Sequence, residues 1–224
     1  VRSSAASDVY KRQPAIQDDI ASLKEAYSDY FKIGCACAGS EFAQGATKDL
    51  IKKHYNSLTL GNELKPDSVL DLALSQKYVA ETGDDTMPQI SLNEADEMLK
   101  FAGENKIPVR GHVLVWHSQT PDWFFKENFD PNGAWVSKDK MTKRLENYIK
   151  TVMETLAKDY PDVEFYAWDV VNEAASDAGT IRDAGSNNEV NGQSAWVKVY
   201  GDQSYIPLAF EFAKKYAPAG LSLI

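Results

Sequence analysis

The feature that most constrains this chain is an alternation: amphipathic runs at helical spacing are each followed by a short apolar run, and polar residues collect where each short run ends. IQDDIASLKEAYSDYF predicts a helix leading into FKIGCACAG, an apolar run closed by Gly39. TKDLIKKHYN carries a helical face, and NSLTLGNELK follows as an alternating, β-branched segment. SLNEADEMLKFAGENK predicts a helix opened by a capping box, Ser91 with Glu94, and IPVRGHVLVWHS is the strand after it. A long helix from about Ser137 to Lys158 gives way at Pro161 to the strand VEFYAWDVVNEA. SYIPLAFEFAKKYAPAG predicts a last helix that ends at Pro218.

Helices alternating with short buried strands imply βα units around a parallel sheet, which places functional residues at the C-terminal ends of the strands. A doubly wound nucleotide fold would want a Gly-rich turn opening its first helix, and neither GxGxxG nor GxxxxGK[ST] occurs. The α/β barrel, (β/α)₈ or TIM type, is therefore the expected fold class. Such a barrel takes about 250 residues. The 224 residues here show four strands and the approach to a fifth, so the expectation is the first half of a barrel.

The two ends read differently from the rest. VRSSAASDVYKRQ, residues 1–13, is a small-residue and basic stretch without an apolar core, so it is not a signal peptide. It is similar to translated adaptor sequence, and LSLI, residues 221–224, resembles read-through from the other side. The expected organisation is one partial barrel domain over residues 14–220 between two non-native ends, with any export signal lost.

Composition excludes several partners. A net charge of −9 without a dense Lys/Arg block argues against nucleic acid. No window reaches the roughly 18 to 20 consecutive apolar residues of a membrane-spanning helix. Cys35 and Cys37 sit one residue apart on a predicted strand, too tightly tethered for a relaxed disulfide, and are expected to be free core thiols. His54, His112 and His117 supply no recognisable zinc pattern, so no metal and no cofactor are expected.

The chemistry gathers at three strand ends. Asn62, Glu63 and Lys65 close the second strand, and His112, Trp116, His117 and Gln119 crowd the end of the third. Each alone reads as a cap, a solvated charge or a core aromatic. Together, aromatic faces and fixed hydrogen-bonding groups are what a sugar ring requires, because its C–H faces are apolar and its rim is hydroxyls. On the fourth strand Trp168 and Val170/Val171 are expected to be buried, so that Asn172 and Glu173 emerge at the mouth. A low-dielectric wall there would raise the Glu173 carboxyl pKa and make it an acid able to protonate a leaving oxygen.

Asn62 to Lys65, GHVLVWHSQTPDW and WDVVNE resemble the marker segments of family 10 glycoside hydrolases, the endo-1,4-β-xylanases, in order from about Ile16 to Gly220. The resemblance implies that Glu173 is the general acid/base and that Asn172 binds the 2-hydroxyl of the sugar at the cleavage site. It implies that Asn62, Lys65, His112, Trp116 and Gln119 line the glycone subsites, with His117 supporting them. It implies xylan or xylo-oligosaccharides as substrate, a retaining mechanism without a cofactor, and a secreted or periplasmic protein. Two departures stand out: Gly61 occupies a position where the family usually has glutamate, and the Glu-Leu-Asp type segment bearing the family's nucleophile does not occur.

The chain alone is therefore expected to be inactive or nearly so, and to self-associate through exposed half-barrel edges. The competing reading is a non-catalytic carbohydrate-binding protein. A Schiff-base aldolase would have Lys65 as its lysine.

Overall fold

In the computed structural model, residues 16–187 and 192–224 are described; the adaptor-like segment 1–13 lies outside them. Five strands form one parallel sheet in the order β1 (Gly34–Cys37), β2 (Ser57–Leu60), β3 (Val109–Trp116), β4 (Phe165–Asn172) and β5 (Ser222–Leu223). Each strand pairs with the next in sequence, so the chain winds in one direction, as a (β/α)₈ barrel does. β1 and β5 are the two edges, and the sheet is an open arc of a barrel.

The intervening helices are α1 (Leu23–Ala26), α2 (Gly39–Phe42), α3 (Gly45–His54), α4 (Pro66–Val69), α5 (Leu72–Thr82), α6 (Asp96–Glu104), α7 (Lys138–Asp159), α8 (Ala195–Tyr200) and α9 (Tyr205–Tyr216). α7 shows why these runs become helices. Ser137 caps it by accepting from the Lys140 amide, and Met141, Leu145, Tyr148, Ile149, Val152, Met153 and Leu156 bury one stripe at 3.6-residue spacing. That stripe and the apolar side of α9, with Ala209 and Ala213 fully buried, cover the outer face of the sheet, where Trp168 and Val170 point.

The fit is close at Gly111. A Cβ there would lie 2.2 Å from Cδ2 of Trp168, so only glycine lets the indole lie flat on β3. Phe124, Phe125, Tyr148, Trp196 and Tyr205 pack ring to ring at the C-terminal side of this layer, with centroids 4.8 to 6.1 Å apart.

Three expectations fail locally. The first helix shrinks from IQDDIASLKEAYSDYF to the single turn α1, because its apolar residues find no cover: Ile20, Leu23, Tyr27, Tyr30 and Phe31 are all exposed. A short helix without a buried face is not stable in water. The capping box at Ser91 does not form, since the chain turns through residues 93–95 and α6 starts at Asp96, one helical turn late. Of the valine pair on β4, Val170 is buried and Val171 only half-buried, as the pleat dictates.

The cysteines are free thiols. Burial, with Cys37 beside it, pushes the Cys35 thiol up to about 11, which makes it a poor nucleophile at neutral pH. Among the described residues no helix is long and apolar enough to cross a membrane.

Candidate active site

The C-terminal ends of β2, β3 and β4 bring Asn62, Lys65, Gln119, Trp116, His117 and Glu173 into one set of contacts. β2 ends at Leu60, and the next turn delivers Asn62 and Lys65, the latter as the N-cap of α4. Glu63, 8% exposed, holds that turn from inside: its Oε1 accepts from the Gly39 amide at 2.6 Å and its Oε2 from the Asn62 amide at 3.0 Å. A buried carboxylate with two amide donors is well satisfied, and it ties the end of β2 to the loop after β1.

Gly61 contributes to the same closeness. Its amide donates to the Cys37 carbonyl at 2.8 Å, and a Cβ would stand 3.0 Å from the Ala38 nitrogen and 3.2 Å from the Cys37 carbonyl carbon. A side chain at position 61 would press on the backbone of β1, so the departure from the family pattern is matched by close strand packing.

Lys65 Nζ donates to Asn62 Oδ1 at 2.9 Å and to Gln119 Oε1 at 2.7 Å, and lies 5.2 Å from the centroid of the Trp116 ring. Gln119 Nε2 donates in turn to Asp67 Oδ2 at 3.3 Å, which fixes the amide orientation. Lys65 stands in a turn rather than a buried strand and is committed to two hydrogen bonds, which does not suit a Schiff-base lysine.

The Trp116 indole closes the network by donating from Nε1 to Glu173 Oε2 at 2.8 Å. His117, 7% exposed, packs edge-on against the Trp116 ring, with Nδ1 3.9 Å from the same carboxylate oxygen. Asn172 is the last residue of β4 and lies opposite Trp116 in the β3–β4 register. Beyond it Glu173 adopts a left-handed backbone, φ 48°, as does Gln119 at φ 45°. Such conformations are uncommon for these residue types and here turn the two side chains away from the line of their strands.

His112 lies deeper in the same strand. Its Nδ1 is 2.9 Å from Asp169 Oδ2, and Arg110 donates to both oxygens of Asp169, with Nη2 to Oδ1 at 2.6 Å. A carboxylate oxygen accepts, so Nδ1 of His112 is the donor of this pair. The peptide between His112 and Val113 is cis, beside a register irregularity of the β3–β4 ladder.

One expectation is corrected. Glu173 was expected within a low-dielectric wall, but its side chain is 53% exposed. It follows the last residue of β4, and the described sheet is an open arc rather than a closed barrel, so the wall that burial requires is incomplete.

Of the eight residues singled out from sequence, Asn62, Lys65, Trp116, His117, Gln119, Asn172 and Glu173 fall at or just beyond the ends of three adjacent strands, and His112 lies within β3. Arg110 and Asp169 went unassigned, although their even spacing from His112 and across the ladder placed them on one face. Among the described residues no group of three or more His, Cys, Asp or Glu side chains is placed to hold a metal ion. The arrangement offers a carboxyl with one oxygen held by an indole N–H, beside an amide, an ammonium and an imidazole able to fix sugar hydroxyls.

The sequence profile of glycosyl hydrolase family 10 matches residues 22–224. The bifunctional endo-1,4-β-xylanase XylA of Ruminococcus flavefaciens is 48% identical over 203 residues, covering 90% of this chain and 20% of that protein. Endo-1,4-β-xylanase Y of Acetivibrio thermocellus is 45% identical over 207 residues, covering 91% and 18%. Among solved structures, the CBM22-1–GH10 modules of the N-terminal endo-1,4-β-D-xylanase 10B of Clostridium thermocellum, complexed with xylohexaose, superpose with a TM-score of 0.83. That match has 43% identity and covers 91% of this chain and 39% of the other. The chain thus spans about a fifth of the first curated relatives it matches.

Proposed function

Because this chain belongs to glycosyl hydrolase family 10, whose fold is the (β/α)₈ barrel, we propose that the protein it forms part of is a retaining endo-1,4-β-xylanase. The observation that carries the reading is the Trp116–Glu173 hydrogen bond at 2.8 Å, set beside Asn172 and the Lys65–Gln119 pair. Glu173 is the acid/base: it gives its proton to the leaving glycosidic oxygen and later takes one from the attacking water. Asn172 holds the 2-hydroxyl at the cleavage site. Asn62, Lys65, His112, Trp116 and Gln119 line the glycone side, and His117 backs the Trp116 ring. A polymeric substrate cannot enter a cell intact, which favours a secreted or periplasmic parent.

Retention requires a second carboxyl about 5 to 5.5 Å from the first, to attack the anomeric carbon and form a glycosyl-enzyme. We assign that nucleophile to a later strand than the five described here. Support comes from the open five-stranded sheet and from the share of solved xylanases that the chain covers, 39% in one and 52% in another. The chain alone should bind xylohexaose but release no reducing sugar from xylan. Reducing-sugar release beside Glu173→Ala, with calorimetric titration of xylohexaose, checks both halves. Release that depends on Glu173 would overturn the assignment of the nucleophile. Binding without release, persisting after the missing strands are restored, would instead favour the non-catalytic carbohydrate-binding reading.

Self-association follows from the edges. Among the described residues β1 and β5 each have a neighbour on one side only, and Tyr30 and Phe31, 80% and 57% exposed, leave apolar surface just ahead of β1. Light scattering on the isolated chain should give a dimer or larger species; a folded monomer at micromolar concentration would reject self-association.

A further inference from the structure

We propose that Arg182 is a positioning residue for Glu173, holding it through the main chain rather than through its carboxylate. Its catalytic consequence rests on reading Glu173 as the acid/base, whereas its geometry does not. Arg182 is 9% exposed, and its Nε donates to the main-chain oxygen of Glu173 at 2.7 Å while Nη1 donates to that of Gly192 at 3.3 Å. Glu173 is where β4 ends and the backbone turns left-handed, φ 48°. A non-glycine residue keeps that conformation only when its surroundings fix it. A guanidinium whose Nε meets this carbonyl while its Nη1 is held by the Gly192 carbonyl is such a constraint, because the planar group fixes direction as well as distance.

Local chain geometry explains how a residue nine positions downstream returns to this spot. Ala175 and Ile181 form an antiparallel bridge, and inside it the Ser176 amide donates to the Thr180 carbonyl at 2.8 Å, as the Gly179 amide does to the Ser176 carbonyl. This narrow hairpin brings the chain back on itself, so that Arg182 follows directly beneath Glu173.

The same segment also secures the other member of the pair. Trp196 Nε1 donates to the Trp116 carbonyl at 3.1 Å. Asn187 Nδ2 donates to the Thr120 carbonyl at 3.0 Å, its main-chain N–H donates to Asp122 Oδ1 at 2.9 Å, and its Oδ1 accepts from the Ala195 main-chain N–H at 2.7 Å. Arg182 on the loop after β4 and Trp196 on α8 therefore hold the backbones of Glu173 and Trp116 respectively, and the two side chains meet at 2.8 Å. Arg182 sets the Glu173 side of that meeting, and with it the direction in which the carboxyl presents its proton.

The test reads the Trp116–Glu173 hydrogen bond without needing turnover. In nitrogen-15 spectra the five tryptophans give one indole signal each, assigned by single Trp→Phe substitutions. Glu173→Ala marks where the Trp116 signal falls when its acceptor is gone. Arg182→Met should move that signal most of the way to the Glu173→Ala position while the Trp168 signal stays in place, and Arg182→Lys, which keeps a cationic donor without the planar fork, should move it part of the way.

If Arg182 only stabilises the fold, the signals move together or the melting temperature falls while the Trp116 shift in Arg182→Lys matches wild type. Either result, or an unmoved Trp116 signal in both variants, overturns the proposal. If the Met variant does not fold, the Lys variant decides by the same comparison. Failure here leaves the acid/base reading of Glu173 untouched, and failure of that reading in an activity assay leaves the indole result standing.

Discussion

Joined to strands that complete the barrel, the chain is expected to hydrolyse xylan, and Glu173→Ala is expected to lower turnover by about 10²- to 10⁴-fold, the usual contribution of a positioned general acid. The loss should depend on the leaving group. Xylan and unactivated xylo-oligosaccharides leave as alkoxides and need the proton, so they bear the full effect. An aryl xylobioside with an acidic phenol leaves unaided, and its first bond cleavage should be nearly spared. The second step, in which water attacks the glycosyl-enzyme, loses its base in either case. Azide needs no base, so adding it should restore turnover of the aryl substrate and yield a β-glycosyl azide, with the nucleophile's carboxylate released. The measurement is kcat and kcat/KM for both substrates with and without azide. Equal loss on both substrates without rescue would mean that Glu173 serves binding or structure instead.

How much of this was legible beforehand can be judged residue by residue. β1 to β4 could be read because short apolar runs with polar ends have few other uses in a chain of alternating helices. The helix before β1 failed because periodicity reports an apolar face without reporting what covers it, and at Tyr30 and Phe31 little does. The candidate residues at and beyond the ends of β2, β3 and β4 stand out through their motifs and their position after short apolar runs. Invisible were the groups that orient them: Glu63 bonding amides on two loops, Asp169 accepting from His112, Arg182 on the Glu173 carbonyl. These depend on contacts between residues far apart in sequence or on a hairpin return, and no periodicity encodes them. The exposure of Glu173 was misjudged for the same reason, since burial at a barrel mouth is set by the whole ring and not by its own strand.

The largest stability effect is expected at Asp85, away from the site but tied to the loop that follows Gln119. Arg144 is fully buried on α7 and makes four hydrogen bonds: Nε to the Asp85 carbonyl at 2.6 Å, Nη2 to Asp85 Oδ2 at 3.0 Å, and Nη1 to the carbonyls of Phe124 and Lys126 at 2.7 Å each. Burial pushes its pKa down to about 10, against the pull of Asp85, yet it stays charged at neutral pH. Asp85 also accepts from the Asn128 amide at 2.9 Å and from Lys140 at 3.1 Å.

Burial alone would raise the Asp85 pKa, but the Asn128 amide, Lys140 and Arg144 outweigh it and hold the carboxyl below its ordinary value. Asp85→Ala leaves a buried guanidinium without its counter-charge, which costs about 3 to 5 kcal/mol where a buried pair is broken from one side. Arg144→Met spares the carboxylate, which keeps Lys140 and the Asn128 amide, but takes the Arg144 donors from the carbonyls of Asp85, Phe124 and Lys126. The pH dependence has a definite sign. A carboxyl whose folded pKa is depressed contributes stability that is full above its unfolded pKa, about 3.9, and is lost as pH falls through the folded one. Urea unfolding at pH 7 should therefore show the full gap between wild type and Asp85→Ala, narrowing as pH is lowered below about 4. A gap unchanged in acid would mean that the loss comes from packing around Phe129, whose ring lies 4.0 Å from the Arg144 guanidinium, and not from the charge.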